Sequence, residues 1–107
     1  LEEHSLKHFD QQKKRYAMKA DIRIEAAADE LVANGILNTA QASEVEAILI
    51  RELDETWDIK EAAVGGFLSE EDGIADWKGL RTETDQALLK YISEADLHEL
   101  RSQLERK

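Results

Sequence analysis

Asn34-Gly35-Ile36-Leu37-Asn38-Thr39-Ala40-Gln41 is the stretch on which the fold turns. Asn and Gly tolerate the left-handed backbone that commonly ends a helix. Four residues on, Asn38 or Thr39 can accept hydrogen bonds from the free amides of a new helix, and Gln41 stands at the capping-box position relative to Asn38. A connection of only about four residues sends the second helix back along the first, so the expected unit is an antiparallel helical hairpin.

Upstream, no glycine interrupts Leu6 to Ala33, and Leu6, Phe9, Tyr16, Ala20, Ile24, Ala27, Ala28 and Leu31 recur close to helical spacing. One helix of this length reaches roughly 40 Å. That exceeds what a compact chain of this size requires, so part of its apolar stripe is expected to pack on another chain. The polar run Asp10-Gln11-Gln12-Lys13-Lys14-Arg15 interrupts the stripe and weakens the case for a continuous heptad. Downstream, Ala42, Val45, Leu49, Leu53 and Trp57 form one stripe of the second helix, with Ile48 and Ile50 beside it. Its other face carries Glu44, Glu46, Glu52, Asp54, Glu55 and Asp58.

Gly65-Gly66 ends or breaks that helix. From Phe67 to Trp77, with Gly73 and Gly79 close by, the sequence predicts a short helical turn or an ordered loop with Ser69 as its cap. Helix resumes from Thr82 or Thr84, with Leu88, Leu89, Tyr91, Ile92, Leu97, Leu100 and Leu104 as its apolar set. Ser93 with Asp96 is a second cap signal, which either divides this stretch in two or sits on its exposed face. No internal repeat and no strand alternation are present. The expected fold is all-α and bundle-like, a single domain over residues 1–107 in which a hairpin with a long first helix is followed by one or two C-terminal helices.

Composition narrows the function. The chain has no proline and no cysteine, which removes disulfides, thiolate zinc sites and cysteine nucleophiles and suits a reducing cytoplasm. No apolar run approaches the roughly 20 residues that span a bilayer, and the charged start at Leu1-Glu2-Glu3-His4 does not read as a signal peptide. The net charge of −10 argues against direct binding to nucleic acid or to an anionic membrane. Residues 1–34 carry six basic and seven acidic groups, residues 35–76 two and eleven, and residues 77–107 six and six. The excess acid is therefore concentrated in the middle of the chain.

Motifs for chemistry fail one by one. His4 and His8 lie one helical turn apart and can share a divalent ion, but two ligands do not make a site, and two exposed histidines on a first turn explain the pair as well. Glu70-Glu71-Asp72-Gly73 invites a calcium loop. With Gly73 at the invariant glycine, however, Leu68 falls at the first ligand position and Gly79 where the bidentate Glu belongs. No Glu precedes a histidine by three residues, as a di-iron bundle requires; Glu94 instead stands one turn before His98 as a surface pair. There is no Gly-x-Ser-x-Gly turn, and Gly65-Gly66 lacks the lysine and spacing of a phosphate loop. Neither a catalytic residue nor a cofactor is expected.

Trp77-Lys78-Gly79-Leu80-Arg81-Thr82-Glu83-Thr84-Asp85-Gln86-Ala87-Leu88-Leu89-Lys90-Tyr91 carries the pattern Trp-x-x-Leu-x-x-x-Thr-Asp-x-x-x-Leu-x-aromatic. Together with Gly35-Ile36-Leu37-Asn38-Thr39 and the acidic helix after it, this resembles the helical region of a bacterial family of zinc-ribbon-containing proteins of unknown function. The resemblance covers roughly residues 20 to 91. It implies the helical part alone, with Thr84-Asp85 as a helix cap, because the cysteines of the ribbon have no counterpart here. It supplies no activity.

The sequence therefore points to a non-enzymatic, acidic protein–protein interaction module that self-associates as a dimer. Glu44, Glu52, Glu55, Trp57, Asp58, Glu70, Glu71, Asp72 and Trp77 are its expected partner-binding residues, and a basic protein is a fitting partner. An alternative is an acidic mimic that occupies the nucleic-acid site of a basic protein, since carboxylates spaced along a helix can imitate phosphates. A third reading is a metal-binding bundle through His4 and His8. Trp57 and Trp77 serve either as core anchors or, where exposed, as hot spots for a partner.

Overall fold

In the computed structural model, residues 2–105 are described, with side chains described from Asp10 onward. Four helices follow one another: α1 (Glu2–Ala33), α2 (Thr39–Val64), α3 (Glu70–Leu88) and α4 (Glu94–Glu105). The protein is all-α and bundle-like. Among the described residues, no helix is long and apolar enough to cross a membrane.

The first two connections use one device. Gly35, at φ +76°, donates to the Val32 carbonyl, and the next amide, Ile36, donates to Leu31. Gly66, at φ +80°, and Phe67 repeat this with Ala63 and Ala62. Both are Schellman closures. Each is followed by an apolar residue, a leucine and a cap: Gly35-Ile36-Leu37-Asn38 and Gly66-Phe67-Leu68-Ser69. The connectors thus repeat although the helices between them do not. Asn38 and Gln41 form the reciprocal capping box, each side chain accepting from the other's backbone amide at 2.8 and 3.0 Å.

The segment after Gly66 departs from its expected reading. Rather than a turn or loop, α3 runs unbroken through Gly73 and Gly79. Ser69 accepts from the Asp72 amide at 3.1 Å, and Glu70, Glu71 and Asp72 place negative charge in the first turn, where the helix dipole favours it. Thr84-Asp85 is not a cap. Thr84 is buried within α3, one turn before its end, and donates back to the Leu80 carbonyl at 2.9 Å. The division after Leu88 does occur, with the Ser93 hydroxyl accepting from the Asp96 amide at 3.2 Å as α4 begins.

α2 is the centre of the bundle and packs on α1 and α3, while α4 returns to α1. The core lies where all four meet: Ile24, Ala27, Ala28 and Leu31 of α1, Val45 and Leu49 of α2, Leu88 of α3 and Leu100 of α4. α1 is about 48 Å long and sets the long dimension of the molecule, 50 Å against 25 and 22 Å.

Candidate protein-interaction surfaces

α4 packs on α1 and reaches across to α2 and α3 by side chains, closing one end of the slot that these three helices form. Arg101 is its anchor. The guanidinium donates to both carboxylate oxygens of Glu52 in α2, at 2.5 and 2.7 Å, and to Asp85 Oδ1 in α3, at 2.9 and 2.6 Å. Burial acts to lower the Arg101 pKa, but the hydrogen bonds to Glu52 and Asp85 and their charges outweigh it, and the net shift is upward. Arg81 of α3 reaches Glu105 at 2.5 Å, which lowers the Glu105 pKa through the hydrogen bond first and the charge second. Gln103 donates to Glu30 of α1 at 2.7 Å.

With only 12 residues, α4 covers about 18 Å of a slot whose floor, α2, is about 39 Å long. The rest of the slot is open. It forms a trough of about 920 Å³. Leu53, Thr56, Trp57 and Lys60 give its floor, Tyr16, Lys19, Ala20 and Arg23 one wall, Ile74, Trp77 and Arg81 the other, and Leu104 with Glu105 the end. Trp57 is buried beneath Tyr16, their rings 5.5 Å apart and edge to face at 69°. The Lys60 ammonium lies 4.6 Å from the Trp57 ring centre, and the Arg81 guanidinium 5.4 Å from that of Trp77, both within cation–π range.

A second surface lies on the opposite side of α1 from the core. Met18 and Ile22 are 70% and 68% exposed. One turn apart, they stand on a single stripe whose other members are Gln11 and Arg15 before them and Glu25 and Asp29 after them, all exposed. The stripe therefore reads cationic, apolar, apolar, anionic from Arg15 to Glu25.

The residues expected to meet a partner are dispersed. Glu44, Asp58, Glu71 and Asp72 are exposed, and Glu70 is exposed on the trough rim. Glu55 pairs with Arg51 at 3.2 Å on the surface. Glu52 does not join an exposed acidic face, because it is turned inward onto Arg101 with 16% of its side chain accessible. Trp57 is a core anchor, 7% exposed, whereas Trp77 is 37% exposed on the trough wall. The side chains of His4 and His8 lie outside the described residues. No group of three or more metal-ligating side chains occurs among the described residues.

Lys19 and Arg23, which line the trough, and Met18 and Ile22, exposed on α1, were not among the residues expected from the sequence to meet a partner. The signal for the latter pair was present: two large apolar residues one turn apart and out of phase with Ile24, Ala27, Ala28 and Leu31. No family model, curated protein or solved structure matches the chain.

Proposed function

We propose that the protein is a non-enzymatic helical interaction module that self-associates as an antiparallel dimer through the outer stripe of α1. The observation that carries this reading is the self-complementary order of that stripe. In an antiparallel pairing about a two-fold axis near Ala20, Met18 of one copy meets Ile22 of the second and Arg15 meets Glu25. Gln11 meets Asp29. Each contact is made twice, as an isologous interface requires, and no like charges are opposed. The heptad-like spacing from Arg15 to Asp29 suits helix-on-helix packing. The same proposal assigns the protein to the cytoplasm, a setting its cysteine-free sequence suits.

Four large apolar side chains make a small interface, so the dimer is expected to be weak, with Kd on the order of 10–100 µM. Light scattering coupled to size-exclusion chromatography across this range tests it. The expected result is a mass that rises from monomer to dimer in the parent and stays monomeric in Ile22→Asp at unchanged helicity. Monomer at every concentration, or a dimer indifferent to Ile22→Asp, contradicts it.

A further inference from the structure

The trough lies apart from the α1 stripe, and its walls describe what would fit it. We infer that it receives an amphipathic α-helix of a partner protein whose apolar stripe is flanked by Glu or Asp.

α4 indicates the shape that fits. The trough continues beyond the end of α4, which packs on α1 and reaches α2 and α3 through Arg101 and Arg81. What occupies the filled half is a helix that presents Leu97, Leu100, Arg101 and Leu104 inward. A guest helix would extend this arrangement, its apolar side chains turned inward as those of α4 are. Leu53 to Ala63 along the floor gives a run of about 15 Å, nearly three turns of helix. That is enough for anchors at i, i+3 or i+4, and i+7.

The rim sets the charge that fits. In a chain of net charge −10, five cations line the trough: Lys19, Arg23, Lys60, Arg81 and Arg101, against Glu52, Glu70 and Glu105. Arg101 is held by Glu52 and Asp85, and Arg81 by Glu105. Lys19, Arg23 and Lys60 make no ion pair among the described residues, and of the three carboxylates lining the trough Glu52 and Glu105 are already paired. The half of the slot that α4 fills is internally neutralised, and the open half carries a surplus of positive charge. Acidic flanks on the guest helix complement that surplus, and basic flanks would oppose it. Ile74 and Trp77, 48% and 37% exposed, give the guest's apolar stripe its contact, with Arg81 already seated on the indole.

A fluorescein-labelled helix-forming peptide of about four turns, with Leu at i, i+3, i+4 and i+7 and Glu on both flanks, is the probe. Its control has Lys in place of every Glu. Titrated against the full chain by anisotropy, the acidic peptide is expected to saturate and to bind at least about tenfold more tightly than the lysine version. The Lys19→Glu/Arg23→Glu double variant should lose that preference, and Ile74→Asp should lose binding of both peptides. Circular dichroism establishes that the variants are folded. Equal affinity for the two peptides overturns the inference, as does absence of saturable binding or indifference to both variants. The α1 pairing is read separately, from the mass of the parent and of Ile22→Asp without peptide, so either claim can fail alone.

Discussion

Arg101 in α4 makes a two-pronged contact with Glu52 in α2, one guanidinium nitrogen to each carboxylate oxygen, at 2.5 and 2.7 Å. Asp85 of α3 completes the cluster. A single side chain thereby ties the last helix to the two before it and fixes where the closed part of the slot ends and the trough begins.

Replacing Arg101 by Ala leaves two carboxylates facing each other at a site largely withdrawn from water. The side chain is 13% accessible and Glu52 16%. Removing one partner of such a cluster is far costlier than removing a surface pair, and a loss of about 2–3 kcal/mol is expected once the partial exposure of Asp85 is allowed for. Urea denaturation checks this. Arg51→Ala, which breaks the exposed pair with Glu55, should change stability by less than about 0.5 kcal/mol.

The glycines should divide into two kinds. A Cβ at Gly73 would meet Leu68 and Ile59 at 3.6 and 3.8 Å, ordinary contact, and one at Gly79 meets nothing within 4 Å. Both lie inside α3, where Ala is the better helix former, so Gly79→Ala is expected to stabilise by about 0.5–1 kcal/mol and Gly73→Ala by no less than zero. Gly35 has open space but a φ of +76°, and Gly35→Ala should cost about 1 kcal/mol or more. Thermal unfolding distinguishes the two directions.

Glu46 provides a pH test. Burial first, then the charges of Glu25 and Asp29, raise its pKa above the ordinary value of 4.5. An acid raised in the folded state is destabilising when ionised. The cost is absent below the ordinary pKa and grows as pH rises through the raised one. Glu46→Gln should therefore stabilise by a few tenths of a kcal/mol at neutral pH and by nothing near about pH 4. Glu105 has the opposite sign. Its lowered pKa contributes stability above 4.5 that is lost as pH falls, so the benefit of Glu105 should vanish on acidification. Measuring both at low protein concentration keeps self-association out of the result.

These cases also show what the sequence made legible. The first hairpin could be read because its information is local: Asn34-Gly35 ends one helix and Asn38 with Gln41 starts the next within eight residues. α3 could not, because Gly73 and Gly79 read as breaks when taken alone. The cost of about 1 kcal/mol that each glycine imposes is offset by the Ser69 cap and by packing of the helix against α2, and only the cap is visible in the sequence. Glu52 is a similar case. Periodicity placed it on an acidic face, but its environment is set by Arg101, forty-nine residues away. The acidic middle of the chain proved to be three settings: exposed carboxylates, a helix N-terminus and an internal ion cluster.

The central claim, self-association through the α1 stripe, rests on which charge meets which. Arg15→Glu alone should oppose Glu25 of the second copy and abolish the dimer, and Glu25→Arg alone should do the same. The double variant Arg15→Glu/Glu25→Arg restores the opposition of unlike charges while leaving Met18 and Ile22 in place. Sedimentation equilibrium on the parent and the three variants is the direct measurement. The account predicts dimer, monomer, monomer and dimer in that order; a double variant that stays monomeric, or single variants that dimerise as the parent does, would contradict it.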